Sequence, residues 1–146
     1  LVSRPATPPR IGRFEIRKEI GRGTMGVVYE AHDPVLGRTV ALKTIALVAA
    51  GAPADPSDFE QRFLAEARIA ARLSHPGILM IHEVGRDGPS GTLYMALQYL
   101  SGHTLEELLA DGRPMEWRQA LGILGRVASA LQHAHSQGVV HRDVKP

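Results

Sequence analysis

Ile20-Gly-Arg-Gly-Thr-Met-Gly-Val-Val-Tyr29, with Val40-Ala41-Leu42-Lys43 soon after it, is the stretch on which the fold turns. Val27, Val28 and Tyr29 prefer strand, and the glycines at 21, 23 and 26 interrupt a β-rich run rather than open a helix. Upstream, Phe14, Ile16 and Ile20 fall on alternate positions, the period of a half-buried strand. Downstream, Asp33-Pro34 and Gly37 mark a turn before a third β-branched run, Thr39 to Ile45. Three short strands joined by tight turns predict an antiparallel meander. The glycine triplet by itself is consistent with plain turn chemistry. A dinucleotide-binding reading fails, because that fold needs a helix at the loop and an acidic residue roughly 20 positions on. Here no Asp or Glu occurs from Pro34 to Ala54. A Walker loop fails as well, since no Gly-Lys-Ser/Thr follows. What survives is a glycine-rich hairpin whose backbone can lie close over phosphates.

Working outward, residues 1–12, with Pro5, Pro8, Pro9 and Gly12, show no periodicity and read as a disordered tail. Ala46 to Pro56 is a loop of small residues. Ser57-x-x-Glu60 has the form of a capping box, so a helix is expected from near Asp58, ending by Ser74 or His75 because Pro76 disfavours helix before it. Ile78–Val84 and Thr92–Tyr99 read as two further strands around a loop holding Gly85, Gly88, Pro89 and Gly91. Thr104-x-x-Glu107 opens a short helix that Gly112 closes. Trp117, Leu121, Leu124, Ala128 and Leu131 then trace one face of a long helix stopped by Gly138. The expected class is α+β. Five antiparallel strands with one inserted helix fill residues 13–98, and a hinge and helices follow over 99–146.

Composition narrows the functions. At 146 residues, 44% apolar and 22% charged, the chain has material for one core. The longest apolar run, Ile45 to Ala50, is far short of the ~20 residues of a membrane helix, and no signal peptide opens the chain. Absence of cysteine excludes disulfides, thiolate zinc sites and a cysteine nucleophile. A net charge of +2 is only mildly basic. The crowding of Arg4, Arg10, Arg13, Arg17, Lys18 and Arg22 lacks the interleaved aromatics of single-strand binding, so no nucleic acid is expected.

The residues that can carry chemistry are few. Lys43 is one of three lysines against 14 arginines, and it sits inside an apolar strand. On the inserted helix, at about 100° per residue, Phe59, Phe63, Ala70 and Leu73 set an apolar stripe with Glu66 in its middle. A carboxylate there is costly unless paired, and Lys43 is the natural partner. His141-Arg-Asp-Val-Lys-Pro146 offers Asp143 as a hydroxyl-activating carboxylate, with Lys145 as a cation for phosphate. His133 and His135, two apart on a helix, do not share a face and read as structural. No Gly-x-Ser-x-Gly elbow and no His-Glu-x-x-His pair is present.

Taken together, the glycine hairpin, Val-Ala-Leu-Lys43, Glu66, the Ser74-His75-Pro76 turn and His-Arg-Asp143-Val-Lys-Pro146 resemble the protein kinase family, in its order. The wording Gly-Thr-Met-Gly-Val-Val-Tyr-Glu-Ala-His-Asp33 is similar to bacterial serine/threonine kinases of the eukaryotic type. The resemblance implies a kinase N-lobe, ATP and Mg2+, and a protein substrate bearing a Ser or Thr hydroxyl. Gly21, Arg22, Gly23, Thr24 and Gly26 would cover the ATP phosphates, and Lys43 paired to Glu66 would contact the α- and β-phosphates. Ile20, Val28 and Ala41 would sandwich the adenine. Leu97 would be the gatekeeper before a hinge at Gln98, Tyr99 and Leu100. Asp143 would accept or orient the substrate hydroxyl, and Arg142 would be a ligand for a phosphorylated activation loop. Gln98 departs from the acid many relatives carry.

The family's metal-binding Asn and its Asp-Phe-Gly motif would fall beyond Pro146, so the 146 residues are expected to be a truncated catalytic domain, inactive alone. The alternative is a non-catalytic nucleotide-binding or pseudokinase-like regulatory module. A cytoplasmic setting, or the cytoplasmic side of a membrane-anchored parent, is expected. Self-association stays open.

Overall fold

A computed structural model describes residues 9–23, 26–45, 56–110, 112 and 114–145, the side chains of 56–59 excepted. Along the chain run β1 (Arg10–Ile11), β2 (Phe14–Gly23), β3 (Gly26–Asp33), β4 (Arg38–Ile45), α1 (Pro56–Ala70), β5 (Ile81–Arg86), β6 (Leu93–Gln98), α2 (Leu105–Leu109) and α3 (Trp117–Ser136). The strands form one antiparallel sheet in the order β1-β2-β3-β4-β6-β5. Two compact units result. One runs through Ala71 and includes Met80–Tyr99; the other comprises Arg72–Leu79 and the chain from Leu100 onward.

The sheet holds six strands rather than the expected five. The addition is β1, inside the segment expected to be a disordered tail. Ile11 is buried and pairs with Phe14, and Gly12 turns the chain between them at φ 57°. The Gly12 N–H donates to Asp87 Oδ1 at 2.9 Å and the Ile16 N–H to the Pro9 carbonyl at 3.1 Å. A two-residue strand has no period to detect, and its anchor lies far along the chain.

The core occupies one face of the sheet: Ile11, Phe14, Tyr29, Ala31, Val40, Leu42, Tyr94 and Ala96. Strict alternation in β3 and β4 builds it, and Phe14 meets Tyr94 edge-on with ring centroids 5.7 Å apart. Two register shifts in β2, at Ile16/Lys18 and Glu19/Gly21, break the simple alternation and leave Ile20 exposed.

Asp33 is fully buried and is satisfied on every side. Arg13 donates Nε to Oδ1 and Nη2 to Oδ2, both at 3.1 Å, and the Val35 and Leu36 N–H groups donate to Oδ1. These bonds close the turn that Asp33-Pro34 and Gly37 announced. Arg13 also pairs with Glu83, whose Oε1 accepts from Tyr94 Oη at 2.9 Å. Four chain segments are stitched by this network. Burial, then Glu83, pushes the Tyr94 phenol up to about 12. The Arg13 guanidinium holds Asp33 down at about 2. A carboxylate with a lowered native pKa stabilises fully above its unfolded value, and that contribution is lost as pH falls through the native one. Stability, read as melting temperature, is therefore expected to drop between pH ~4 and ~2, and Asp33→Asn should remove its share of the slope.

In the second unit, α2 carries the expected capping box. The Thr104 hydroxyl accepts the Glu107 N–H at 3.1 Å, and the Glu107 carboxylate accepts the Thr104 N–H at 2.8 Å. Glu116 caps α3 by accepting from the Arg118 and Gln119 N–H groups. At its other end Gly138 sits at φ 75°, its N–H bonds the His135 carbonyl, and the Val139 N–H reaches Ala134. That pairing is a Schellman motif. Ala130 and Ala134 are buried, whereas Trp117, Leu121 and Leu124 are exposed.

Candidate functional site

Of the residues expected to bind nucleotide, Val28, Ala41, Lys43 and Leu97 share the sheet face opposite the core. Residues directly opposite in an antiparallel pair share a face, and Val28 stands opposite Lys43, which stands opposite Met95. One row along, Glu30 faces Ala41 and Ala41 faces Leu97. Gly21 is opposite Val28, in the same cross-strand row as Lys43. Ile20 lies exposed beside it. The β2–β3 hairpin closes through Gly23 and Gly26; Thr24 lies outside the described residues. Arg22 is turned back on Glu19, with Nε to Oε1 at 3.0 Å and Nη2 to Oε2 at 2.7 Å.

Gly26 is required by its backbone. Its φ is 142°, and a Cβ built there would stand 1.8 Å from the Thr44 carbonyl oxygen. Thr44 Oγ1 in turn bonds both the N–H and the carbonyl of Val27, locking the hairpin base to β4. Gly26→Ala must push β3 from β4 beside Lys43, on top of a backbone penalty of ~1–3 kcal/mol. It is expected to lower the melting temperature and weaken nucleotide binding, whereas Gly23→Ala, with no atom near its Cβ position, should do neither by steric means.

Lys43 is half-buried on this face, and among the described residues no carboxylate pairs with it. The expected partner, Glu66, is not there. Glu66 is exposed, and α1 instead turns Glu60, Phe63, Leu64, Ala67 and Ala70 inward, with Ala67 buried. At about 100° per residue the centre of that face is about 100° from Glu66. A stripe of Phe59, Phe63, Ala70 and Leu73 centres near Glu66, and counting Leu64 and Ala67 moves the centre away from it. α1 also begins at Pro56, two residues before the expected start, with proline suited to the first turn. It ends at Ala70. Ser57, the expected cap, lies outside the side chains described. Arg86 of β5 holds the N-terminal half of α1 through Glu60, Nη1 to Oε2 at 3.1 Å.

At the far side of Leu97, the Gln98 N–H bonds the Met80 carbonyl at 2.9 Å, and Tyr99 and the exposed Leu100 follow. Tyr99 Oη donates to Glu30 Oε2 at 3.1 Å. Sequence reasoning missed Glu30 and Met95, although alternation from Ala41 and Lys43 with the strand pairing would have placed both on this face.

The second unit holds the other expected residues. After α3 the chain turns at Arg142, whose φ of 63° is rare for a side chain of that size. The Asp143 N–H donates to His141 Nδ1 at 3.3 Å, and Lys145 Nζ lies 3.0 Å from Asp143 Oδ2. Asp143 and Lys145 are thus brought together, both exposed. His133 stacks on His75, with centroids 5.5 Å apart, and His75 Nε2 meets Ser129 Oγ at 3.1 Å.

The sequence profile of the protein kinase domain matches residues 14–146. The chain belongs to the protein kinase family. It is 42% identical over 142 residues to a probable serine/threonine-protein kinase, SCO3848, of Streptomyces coelicolor, covering 95% of this chain and 20% of that protein. It is 40% identical to the serine/threonine-protein kinase PknA of Mycobacterium tuberculosis, covering 92% of this chain and 31% of PknA. The crystal structure of the M. tuberculosis PknI kinase domain superposes with a TM-score of 0.77 at 33% identity, over 93% of this chain and 53% of that one. The chain therefore spans a fifth to a third of these curated relatives. Its sheet with one inserted helix is a kinase N-lobe fold.

Proposed function

We propose that the chain is the ATP-binding portion of a serine/threonine protein kinase, which transfers the γ-phosphate of ATP to a Ser or Thr hydroxyl of a protein. The observation that carries this reading is the shared face of Val28, Ala41, Lys43 and Leu97 beside the glycine hairpin. A half-buried cation without a carboxylate partner among the described residues suits a polyphosphate, and apolar neighbours suit a purine. Lys43 would hold the α- and β-phosphates, and the hairpin backbone of Gly21, Gly23 and Gly26 would cover them. Ile20, Val28 and Ala41 would enclose the base at the hinge of Gln98, Tyr99 and Leu100. Asp143 would orient the substrate hydroxyl, with Lys145 offsetting charge on the transferred group. Mg2+ would neutralise phosphate charge. The reaction draws on ATP, so a cytoplasmic setting, or the cytoplasmic side of a membrane-anchored parent, is part of the proposal. Among the described residues no helix is long and apolar enough to cross a membrane.

Catalysis in this family requires the Lys–Glu pair, so α1 would have to turn by about 100° to bring Glu66 inward, and helix repositioning of this kind is a known switch. The exposed Glu66 also favours the second reading, a nucleotide-binding module without chemistry. Two measurements separate the readings. Calorimetric titration with a non-hydrolysable ATP analogue should give saturable binding, and its absence removes both. Transfer of labelled γ-phosphate to protein by the intact protein containing this chain is expected for a kinase, and binding without transfer selects the regulatory module.

A further inference from the structure

The face that carries Lys43 also carries a carboxylate with no part in the roles above. Glu30 stands opposite Lys18 on β2 and Ala41 on β4, and Ala41 stands opposite Leu97 on β6. These residues form one row across the sheet, in which Ala41 and Leu97 are the two expected to flank the purine. A carboxylate so placed must be satisfied, and the Glu30 side chain is only 16% exposed. One oxygen takes both partners: Tyr99 Oη donates to Glu30 Oε2 at 3.1 Å, and Lys18 Nζ lies 3.2 Å from the same atom. Lys18 first, then Tyr99, holds the carboxyl below the usual carboxylate range, so it is ionised near neutral pH.

Tyr99 is the first residue past β6, and its hydroxyl reaches across β4 to β3. Up to Gln98 the backbone is anchored by the ladder and by the bond to Met80. The phenol takes over the anchoring one residue later, at the point where strand pairing stops. A side chain with two torsions, held at its tip by an ionised acceptor, leaves its own backbone little freedom. Without that hold, the segment must be ordered when ligand binds, at a cost in affinity.

We infer that Glu30, clamped by Lys18, is a positioning residue for the nucleotide, holding the Tyr99 phenol so that the hinge backbone is set before the purine arrives. The inference rests on the ATP reading above. The test is KM for ATP and kcat in the intact kinase that carries this chain, for wild type, Glu30→Ala, Tyr99→Phe, the double variant and Glu30→Gln. Each single change should raise KM for ATP by about three- to tenfold, the span of one hydrogen bond's net contribution, with a smaller change in kcat. The double variant should be no worse than its more severe parent, because both remove one contact. Glu30→Gln keeps an acceptor for the phenol and should stay within about twofold of wild type. A packing role would move the melting temperature without this pattern, and Tyr99→Phe, which removes one atom, keeps the test open should Glu30→Ala fold poorly. Unchanged KM in both single variants, or effects that multiply in the double, would overturn the proposal alone. Wild-type protein without ATP-dependent transfer or ATP binding would overturn the ATP reading and this proposal with it.

Discussion

Lys43→Met in the intact kinase is expected to cut phosphoryl transfer by about 100- to 1,000-fold, the loss that follows removal of one preorganised charge from a transition state, while leaving the fold in place. The two halves of that statement have separate grounds. Lys43 lies half-buried on the sheet face away from the core, opposite Val28 and Met95, outside the core cluster. Methionine keeps a stem of similar length against those neighbours, so packing is retained and only the charge is lost. Phosphoryl transfer, by contrast, is catalysed almost wholly by positioning and by charge opposed to the phosphates. Initial rates with labelled ATP, beside melting curves of both proteins, check the prediction. Turnover near wild type would remove Lys43 from its assigned role, and a collapsed melting transition would mean the lysine is structural. Glu66→Gln should cost less than Lys43→Met, because glutamine keeps an acceptor for the ammonium once α1 has turned inward, whereas methionine removes the charge proposed to meet the phosphates.

What the sequence disclosed and what it concealed follow from the range of each interaction. The β2–β3–β4 meander was legible because Val27 to Tyr29 and Thr39 to Ile45 are runs rich in β-branched and aromatic residues set apart by turn residues, and β3 and β4 do pair. The α2 capping box and the glycine stop of α3 were legible because their bonds span only a few residues. Asp143 and Lys145, two apart, lie within 3.0 Å of each other, a contact whose partners are near in the chain. The face of α1 was misread. An origin at Phe59 ignores Leu64 and Ala67, and a helix stripe located by few residues can be wrong by a quarter turn. The strand β1, the Arg13–Asp33–Glu83 network and the Tyr99–Glu30 contact stayed hidden for a different reason. Their anchoring side-chain bonds span 20 to 75 residues, and nothing local marks them.

The largest effect on stability is expected from Phe14→Ala, at ~3–5 kcal/mol. Phe14 is fully buried and is the largest such side chain in the core. It is held on three sides: Tyr94 meets its ring edge-on at 5.7 Å, the Arg13 guanidinium lies 4.7 Å from its centroid, and Ile11 pairs with it across the β1–β2 turn. Truncation would therefore remove more than the transfer energy of one ring. Tyr94 would lose its aromatic neighbour while its hydroxyl remains tied to Glu83, so the cavity could not be closed by a simple shift of that ring. Arg13 would lose a cation–π contact of ~0.5–1 kcal/mol, although its bond to Asp33 would hold it in place. Against a total stability of about 5–15 kcal/mol for a domain, such a loss is enough to unfold a large fraction of molecules at moderate denaturant. Urea unfolding should show the midpoint falling steeply at an unchanged slope. Phe14→Leu, which fills much of the space, should lose less than half as much. A Phe14→Ala midpoint within experimental error of wild type would mean that β1 and the start of β2 contribute little to the core, and that the sheet is held chiefly by β3, β4 and β6.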